Sequence, residues 1–362
     1  MSCETRSTST CESERAIQNA PTMSPRPEIP VLGITLGDPR GIGPEVTLAA
    51  LRGRAHPDRA AILVIGPRRF RLEFEELADA GAPVEFLEID ARRYQAPGSS
   101  ARTREANPGD REAGELAARA IEAGIEMALE GRIDGLVTAP ISKEALRAAG
   151  YPFPGHTEFL RERTGVEEVA MVMAAEKTPL GGPLRVALVT VHVPLRQVPV
   201  LLTVPRIVQR ATIAARGLRD WWGIARPRLA FAGLNPHASE GGLFGDEEER
   251  VIMPAMERIA RQESVDVSGP FPADTVFRRC IAGEADLVIV PYHDVGLAVL
   301  KTIAPDSGVN VTTGLPFPRT SPDHGTAFDI AGRGQADPSS MAAAIDTCTD
   351  FCQRVDSEAE SA

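Results

Sequence analysis

The chain has 362 residues, 43% hydrophobic and 25% charged, which is ordinary for a folded globular protein and long enough for one large or two medium domains. A net charge of -11 without any Lys/Arg-rich run argues against nucleic acid or an anionic membrane as a main partner. The longest apolar runs, such as 60–66 and 285–291, fall far short of the roughly 20 residues that span a bilayer, so no transmembrane helix is expected.

The first segment, 1–28, is rich in Ser, Thr, Glu and Pro, lacks an apolar signal core and reads as a disordered tail. From Val31 onward, short β-branched runs alternate with longer helical patterns, the signature of parallel strands joined by helices. Strands are predicted at 31–36, 61–65, 84–89, 135–138, 170–174, 185–191, 228–232, 287–292 and 309–313. Helices are predicted at 44–52, 112–130, 205–222, 247–261 and 339–351. Most of the strands run into polar or Gly/Pro-rich loops, where ligands of open α/β sheets bind. The five cysteines, Cys3, Cys11, Cys280, Cys348 and Cys352, contain no Cys-x-x-Cys pair, which fits a reducing cytoplasm better than a disulfide framework or a zinc ribbon. Cys348 and Cys352, four apart, share one helix face and read as packing thiols.

Of six histidines, His156, His192, His237, His293 and His324 fall on those loops and only His56 lies elsewhere. A single loop histidine is usually a surface or structural residue. Five of them, several beside acidic or glycine residues, suggest a metal or acid–base site, and their wide spacing suits an open catalytic site rather than a structural zinc finger. Asp294 follows His293 directly and could orient a ligand or move a proton; Asp274 could do the same or cap a helix. The glycine-rich turn 37–45 places Pro44 at a helix start and exposes backbone N–H groups suited to an anion. It matches neither the G-x-G-x-x-G fingerprint nor a P-loop, and neither occurs elsewhere in the chain. Lys301 and Arg319 are the usual kinds of cation for a phosphate or carboxylate, although surface salt bridging is the plainer role for each alone.

Taken in order, the segments GDPRGIGPE (37–45), VTAPISK (137–143), GHTEF (155–159), NPHASEGG (235–242), GPFPADTVF (269–277), YHDVGLAVLK (292–301) and 308–334 resemble the 4-hydroxythreonine-4-phosphate dehydrogenase family of vitamin B6 biosynthesis. The resemblance implies an α/β, two-domain α/β/α fold similar to isocitrate and isopropylmalate dehydrogenases, with an NAD (or NADP) site lacking the Rossmann fingerprint. It implies domains at 29–140 with 311–352 and at 141–310, the second carrying a homodimer interface, and a C-terminal tail from 353. It further implies that His192, His237 and His293 hold a divalent metal (zinc, magnesium, cobalt or manganese), one of them supplied by the other subunit. His156, Thr157, Lys301, Asn310 and Arg319 would contact a small phosphorylated hydroxy acid, and Asp274, Asp294 and Lys301 would serve catalysis. Val295, Leu243, Thr313 and the segment 303–307 depart from the family pattern near the substrate. Relatives acting on 4-phospho-D-threonate or 4-phospho-D-erythronate are therefore the alternative. A metal-dependent hydrolase would use a comparable histidine set without NAD.

Overall fold

In a computed structural model, residues 29–54, 57–90 and 108–361 are described; the expected N-terminal tail, Cys3, Cys11 and His56 lie outside them. The strands are β1 (Val31–Thr35), β2 (Ala61–Pro67), β3 (Val84–Ile89), β4 (Gly135–Thr138), β5 (Ala170–Ala175), β6 (Leu184–Leu188), β7 (Arg228–Ala232), β8 (Asp266–Phe271), β9 (Leu287–Val290), β10 (Val309–Thr313) and β11 (Arg319–Pro322). The helices are α1 (Gly43–Arg52), α2 (Arg71–Asp79), α3 (Pro108–Leu129), α4 (Lys143–Ala148), α5 (His156–Thr164), α6 (Val198–Leu201), α7 (Val204–Asp220), α8 (Met253–Gln262), α9 (Phe277–Ile281), α10 (His293–Ile303) and α11 (Ser339–Ser361). The α/β class is as expected. Among the described residues no single helix is long and apolar enough to cross a membrane.

All eleven strands join one sheet in the order β3-β2-β1-β4-β11-β10-β5-β6-β9-β7-β8. The sheet is mixed rather than parallel: β10 runs antiparallel to both β11 and β5, and β5 runs antiparallel to β6. The connections explain two of these three pairings, β10 with β11 and β5 with β6. A parallel neighbour needs a crossover of a dozen or more residues, whereas the turn between Thr313 and Arg319 and the loop between Ala175 and Leu184 are too short for one. Gly314, at φ 92°, begins the first of these turns.

Two strands escape the periodicity argument. Strand β8 contains Pro270, tolerable because β8 lies at the sheet edge beyond β7, where a missing N–H breaks no inner ladder. Strand β11 reads Arg-Thr-Ser-Pro, polar in its first three residues, yet all four are buried. The C-terminal helix also runs past the predicted end at Phe351 to Ser361. Its Cys348 and Cys352 are buried and pack against Gly135, where a Cβ would come within 2.6 Å of one sulfur and 2.7 Å of the other.

Alternation along the strands builds three layers. Leu32, Ile34, Ile62 and Val64 face one cluster with α1, α7, α8 and α11. On the opposite face the core is divided: Leu63, Ile65 and Leu136 pack with α3 and α5, while Met173, Val186 and Leu188 pack with α9 and α10. Between these two clusters the centre of the sheet carries polar side chains. The helices on this face pack closely where glycine allows it. A Cβ on Gly114 of α3 would lie 2.0 Å from the backbone carbonyl oxygen of Ala145 in α4, an atom that cannot swing aside. Gly114→Ala is accordingly expected to cost about 1–3 kcal/mol, read as a lower urea midpoint at unchanged slope. An unchanged midpoint would show that α4 yields freely.

Candidate active site

The gap between the two clusters opens into a cavity of about 760 Å³, floored by the central strands through Thr138, Met171, Leu188, Asn310 and Arg319. Loops after β4, β6 and β9 form its rim with His156, His192 and His293. Of the residues expected at a site, His156, Thr157, His192, His293, Lys301, Asn310 and Arg319 all line it.

Arg319 is the floor's dominant charge. It is 1% exposed, and its Nη1 and Nη2 donate to Thr312 Oγ1 at 2.9 Å and Thr138 Oγ1 at 2.6 Å, while Nε has no partner. Burial pushes its pKa down to about 9, since removing a cation from water disfavours the charged form and no carboxylate offsets the loss. Isolated buried cations are costly, so this one is suited to an anionic ligand. Around it, Asn310 Oδ1 and His156 Nε2 are buried without partners. His156, which begins α5 behind Gly155, is held neutral first by burial and then by the charge of Arg319. Lys301, in the last turn of α10, reaches Asp323 Oδ1 at 3.2 Å. Burial pushes the Asp323 carboxyl up, against the pull of Lys301.

Across the cavity, His192 and His293 stand with ring centroids 5.3 Å apart. His192 sits at φ 48°, a left-handed conformation that a side chain rarely adopts, and its imidazole is shifted toward the neutral form by burial and then by Lys143. His293 Nδ1 meets Asp294 Oδ1 at 2.7 Å, and Tyr292 Oη donates to Asp294 Oδ2 at 2.9 Å. These bonds to His293 and Tyr292 hold the exposed Asp294 carboxyl below the usual carboxylate range. A neutral ring donating from Nδ1 carries its lone pair on Nε2, the orientation that carboxylate–histidine pairs give a metal ligand. The two rings thus fit as part of a divalent-metal donor set, but among the described residues no three His, Cys, Asp or Glu side chains converge within this one chain.

His237, Asp274 and Asp294 are the expected residues that do not line this cavity, although Asp294 is tied to its edge by the bond to His293. His237 lies in the short helical turn Pro236–Glu240 near Phe244, exposed, in a run of four left-handed residues with Ala238, Ser239 and Glu240. Strain of this kind costs roughly 1 kcal/mol or more per residue and persists only where the surroundings impose it. Here the buried Glu248 accepts backbone N–H bonds from Leu234 at 2.8 Å and Asn235 at 2.7 Å, pinning the turn. Asp274 occupies the exposed turn before α9 and does not cap that helix, whose N-cap is Val276. Two further arginines, Arg206 and Arg210 of α7, line the cavity and were not singled out from the sequence. Their i,i+4 spacing on an amphipathic helix was the available signal.

A buried cation and an imidazole pair facing each other across a cleft at strand ends define an enzyme-type site for a small anionic molecule. A model of the family described as pyridoxal phosphate biosynthetic protein PdxA matches residues 60–348. The 4-hydroxythreonine-4-phosphate dehydrogenase of Desulfosudis oleivorans is 43% identical over 336 residues, covering 91% of this chain and 97% of its own. That of Beijerinckia indica is 44% identical over 88% of this chain and 94% of its own. A crystal structure of the Klebsiella pneumoniae 4-hydroxythreonine-4-phosphate dehydrogenase superposes with a TM-score of 0.76 at 38% identity, covering 91% of this chain and 99% of its own. The terephthalate 1,2-cis-dihydrodiol dehydrogenase of Burkholderia xenovorans superposes with a TM-score of 0.60 at 25% identity, covering 89% and 98%. The chain belongs to the PdxA family.

His156 carries a pH consequence. Its folded pKa lies well below the ordinary value. Below about pH 6.5 the unfolded chain therefore takes up a proton that the folded chain refuses, and stability falls as pH drops. His156→Gln is expected to make the urea midpoint fall less steeply between about pH 7 and 5 than in the parent protein. Parallel slopes would mean that the ring is protonated inside the fold.

Proposed function

We propose that the protein oxidises 4-phosphohydroxy-L-threonine, with NAD (or NADP) accepting the hydride and a divalent metal assisting, to a β-keto acid that loses carbon dioxide and leaves 3-amino-2-oxopropyl phosphate. The observation that carries this reading is the two-ended cavity: the buried, carboxylate-free Arg319 at one end and the His192–His293 pair at the other. One end suits a phosphate, the other a hydroxyl being oxidised. Family membership supports the same assignment, because the relatives bear that enzyme's name.

In this reading Arg319, Lys301, Asn310, His156 and Thr157 bind the phosphorylated end and fix the distance from it to the reacting carbon. His156, kept neutral, offers a hydrogen bond without adding charge. A divalent ion held by His192, His293 and a third histidine would lower the pKa of the alcohol, steady the charge developing on its oxygen, and later polarise the ketone for decarboxylation. Asp294 keeps His293 in the ligating tautomer. Asp323, its carboxyl raised by burial and bonded to Lys301, stands in the cavity wall as an acceptor for the hydroxyl proton, with Lys301 as its exchange partner.

The third histidine, His237, and the carboxylate Asp274 come in this proposal from a second copy of the chain. The loop bearing His237 is flanked by exposed Leu243 and Phe244, and Leu195, Val200 and Met253 are exposed as well. Apolar side chains of this number, left in water, suit a homodimer interface.

Two experiments test the proposal. Purified protein supplied with zinc, cobalt, manganese or magnesium is expected to reduce NAD fastest with 4-phosphohydroxythreonine in a panel that includes phosphothreonate and phosphoerythronate. Preference for either sugar acid would reassign the substrate, and turnover that survives chelation and desalting would remove the metal. The shared site is tested by mixing variants. His237→Ala and His293→Ala should each be inactive alone, whereas an equal mixture re-equilibrated as dimers should recover about a quarter of the parent activity, since half the dimers are mixed and each holds one intact site. No recovery would place all three histidines in one chain or outside the site.

A further inference from the structure

The pairing of the central strands places three side chains on one face of the sheet. Across the antiparallel pair, Val309 stands opposite Pro322, Asn310 opposite Ser321 and Val311 opposite Thr320, so the next position sets Thr312 opposite Arg319. On the other side of β11, Arg319 pairs with Leu136 of β4, which puts Thr138, two residues further along, on the same face as a diagonal neighbour. The hydrogen bonds follow that register: Nη1 to Thr312 Oγ1 at 2.9 Å and Nη2 to Thr138 Oγ1 at 2.6 Å. Both threonines are fully buried at 0% exposure.

What is unusual is the kind of acceptor. A guanidinium is bound most strongly by a carboxylate, in a bidentate pair that also cancels its charge. Among the described residues the other buried arginine, Arg185, has such a partner in Glu176, with Nε at 2.8 Å. Arg319 instead has two hydroxyls, which fix two of its N–H directions and cancel nothing. Its Nε and the neighbouring His156 Nε2, both of residues that line the cavity, remain without partners.

We propose that Thr138 and Thr312 are positioning residues that hold Arg319 through neutral acceptors, so that its whole charge is kept for the phosphate of the substrate. They would thereby set the preference for phosphorylated over unphosphorylated hydroxy acids. The inference rests on the proposed function only in taking the anion to be the substrate's phosphate.

The test measures binding of inorganic phosphate and of NAD separately by calorimetry on the full chain at fixed ionic strength. Thr138→Val and Thr312→Val keep the shape and remove the acceptor. Each is expected to weaken phosphate binding about tenfold while NAD binding stays within about twofold, the size expected for one bond to a charged group. Thr138→Ser and Thr312→Ser, which restore the hydroxyl, should return phosphate binding to near the parent value. Thr312→Glu, supplying the carboxylate that is missing, should abolish it. In steady-state assays the valine variants should raise KM for the phosphorylated substrate more than they lower kcat.

Valine variants with parental phosphate affinity, serine variants as weak as the valines, equal losses for NAD, or a folded Thr312→Glu that still binds phosphate would each overturn the inference. Should Thr312→Glu fail to fold by circular dichroism, the valine and serine pairs decide. Phosphate binding requires no turnover, so a parent protein that binds phosphate but oxidises no phosphorylated hydroxy acid would overturn the proposed function while Thr138 and Thr312 would still position Arg319 for an anion.

Discussion

The constraint around which the central region is arranged is an arginine buried in the middle of a β-sheet without an acidic partner. Taking a guanidinium out of water costs several kcal/mol even after relaxation, and Arg319 recovers only part of that from two threonine hydroxyls. A bound anion would offset the remainder. The surroundings conform to this. Thr138, Thr312, Asn310 and Ser321 take positions where a sheet of this kind would otherwise carry aliphatic side chains, and the hydrophobic core on that face divides into two clusters instead of running through. The cavity is the space that this division leaves open.

The strand order serves the same end. Arg319 can reach threonines on both sides only because β11 is inserted between β4 and β10, and it can be inserted there because β10 turns back on itself within a few residues. The reversal makes the sheet mixed. It also joins the half of the sheet built on β1–β4 to the half built on β5–β9, so that loops from both halves overlook one cleft. His293 is delivered by the start of α10 directly after β9, and His192 by the loop after β6, an adjacent strand in the sheet. Their closeness is a consequence of strand adjacency, not of sequence distance.

Much of this was legible in the chain itself. Alternating β-branched runs and helical patterns located nine of the strands, and the polar loops at their ends carry Pro140, His192 and His293 of the cavity lining. The ordered motifs by themselves identify the family. The two strands that were missed had local reasons to be missed. Strand β8 carries a proline that only an edge position excuses, and β11 is polar because its residues serve the site and the buried hydrogen bonds around it, such as Thr320 Oγ1 to the carbonyl of Ala344 at 2.8 Å. In sequence, Arg206 and Arg210 cannot be told from the surface charges of any amphipathic helix.

The sequence by itself determined the alternation of strands and helices, the α/β class, the family and the candidate residues, because periodicity, turn chemistry and motif order are local properties. Only the tertiary structure decided which strands lie side by side, that β10 runs against its neighbours, that Arg319 is buried with hydroxyl partners alone, and that His237 and Asp274 stand apart from His192 and His293 in a single chain. Register and burial depend on segments far apart in the chain, and the same arginine read in isolation is a surface cation. Its chemistry comes from the removal of water and acid from around it, which no stretch of sequence records.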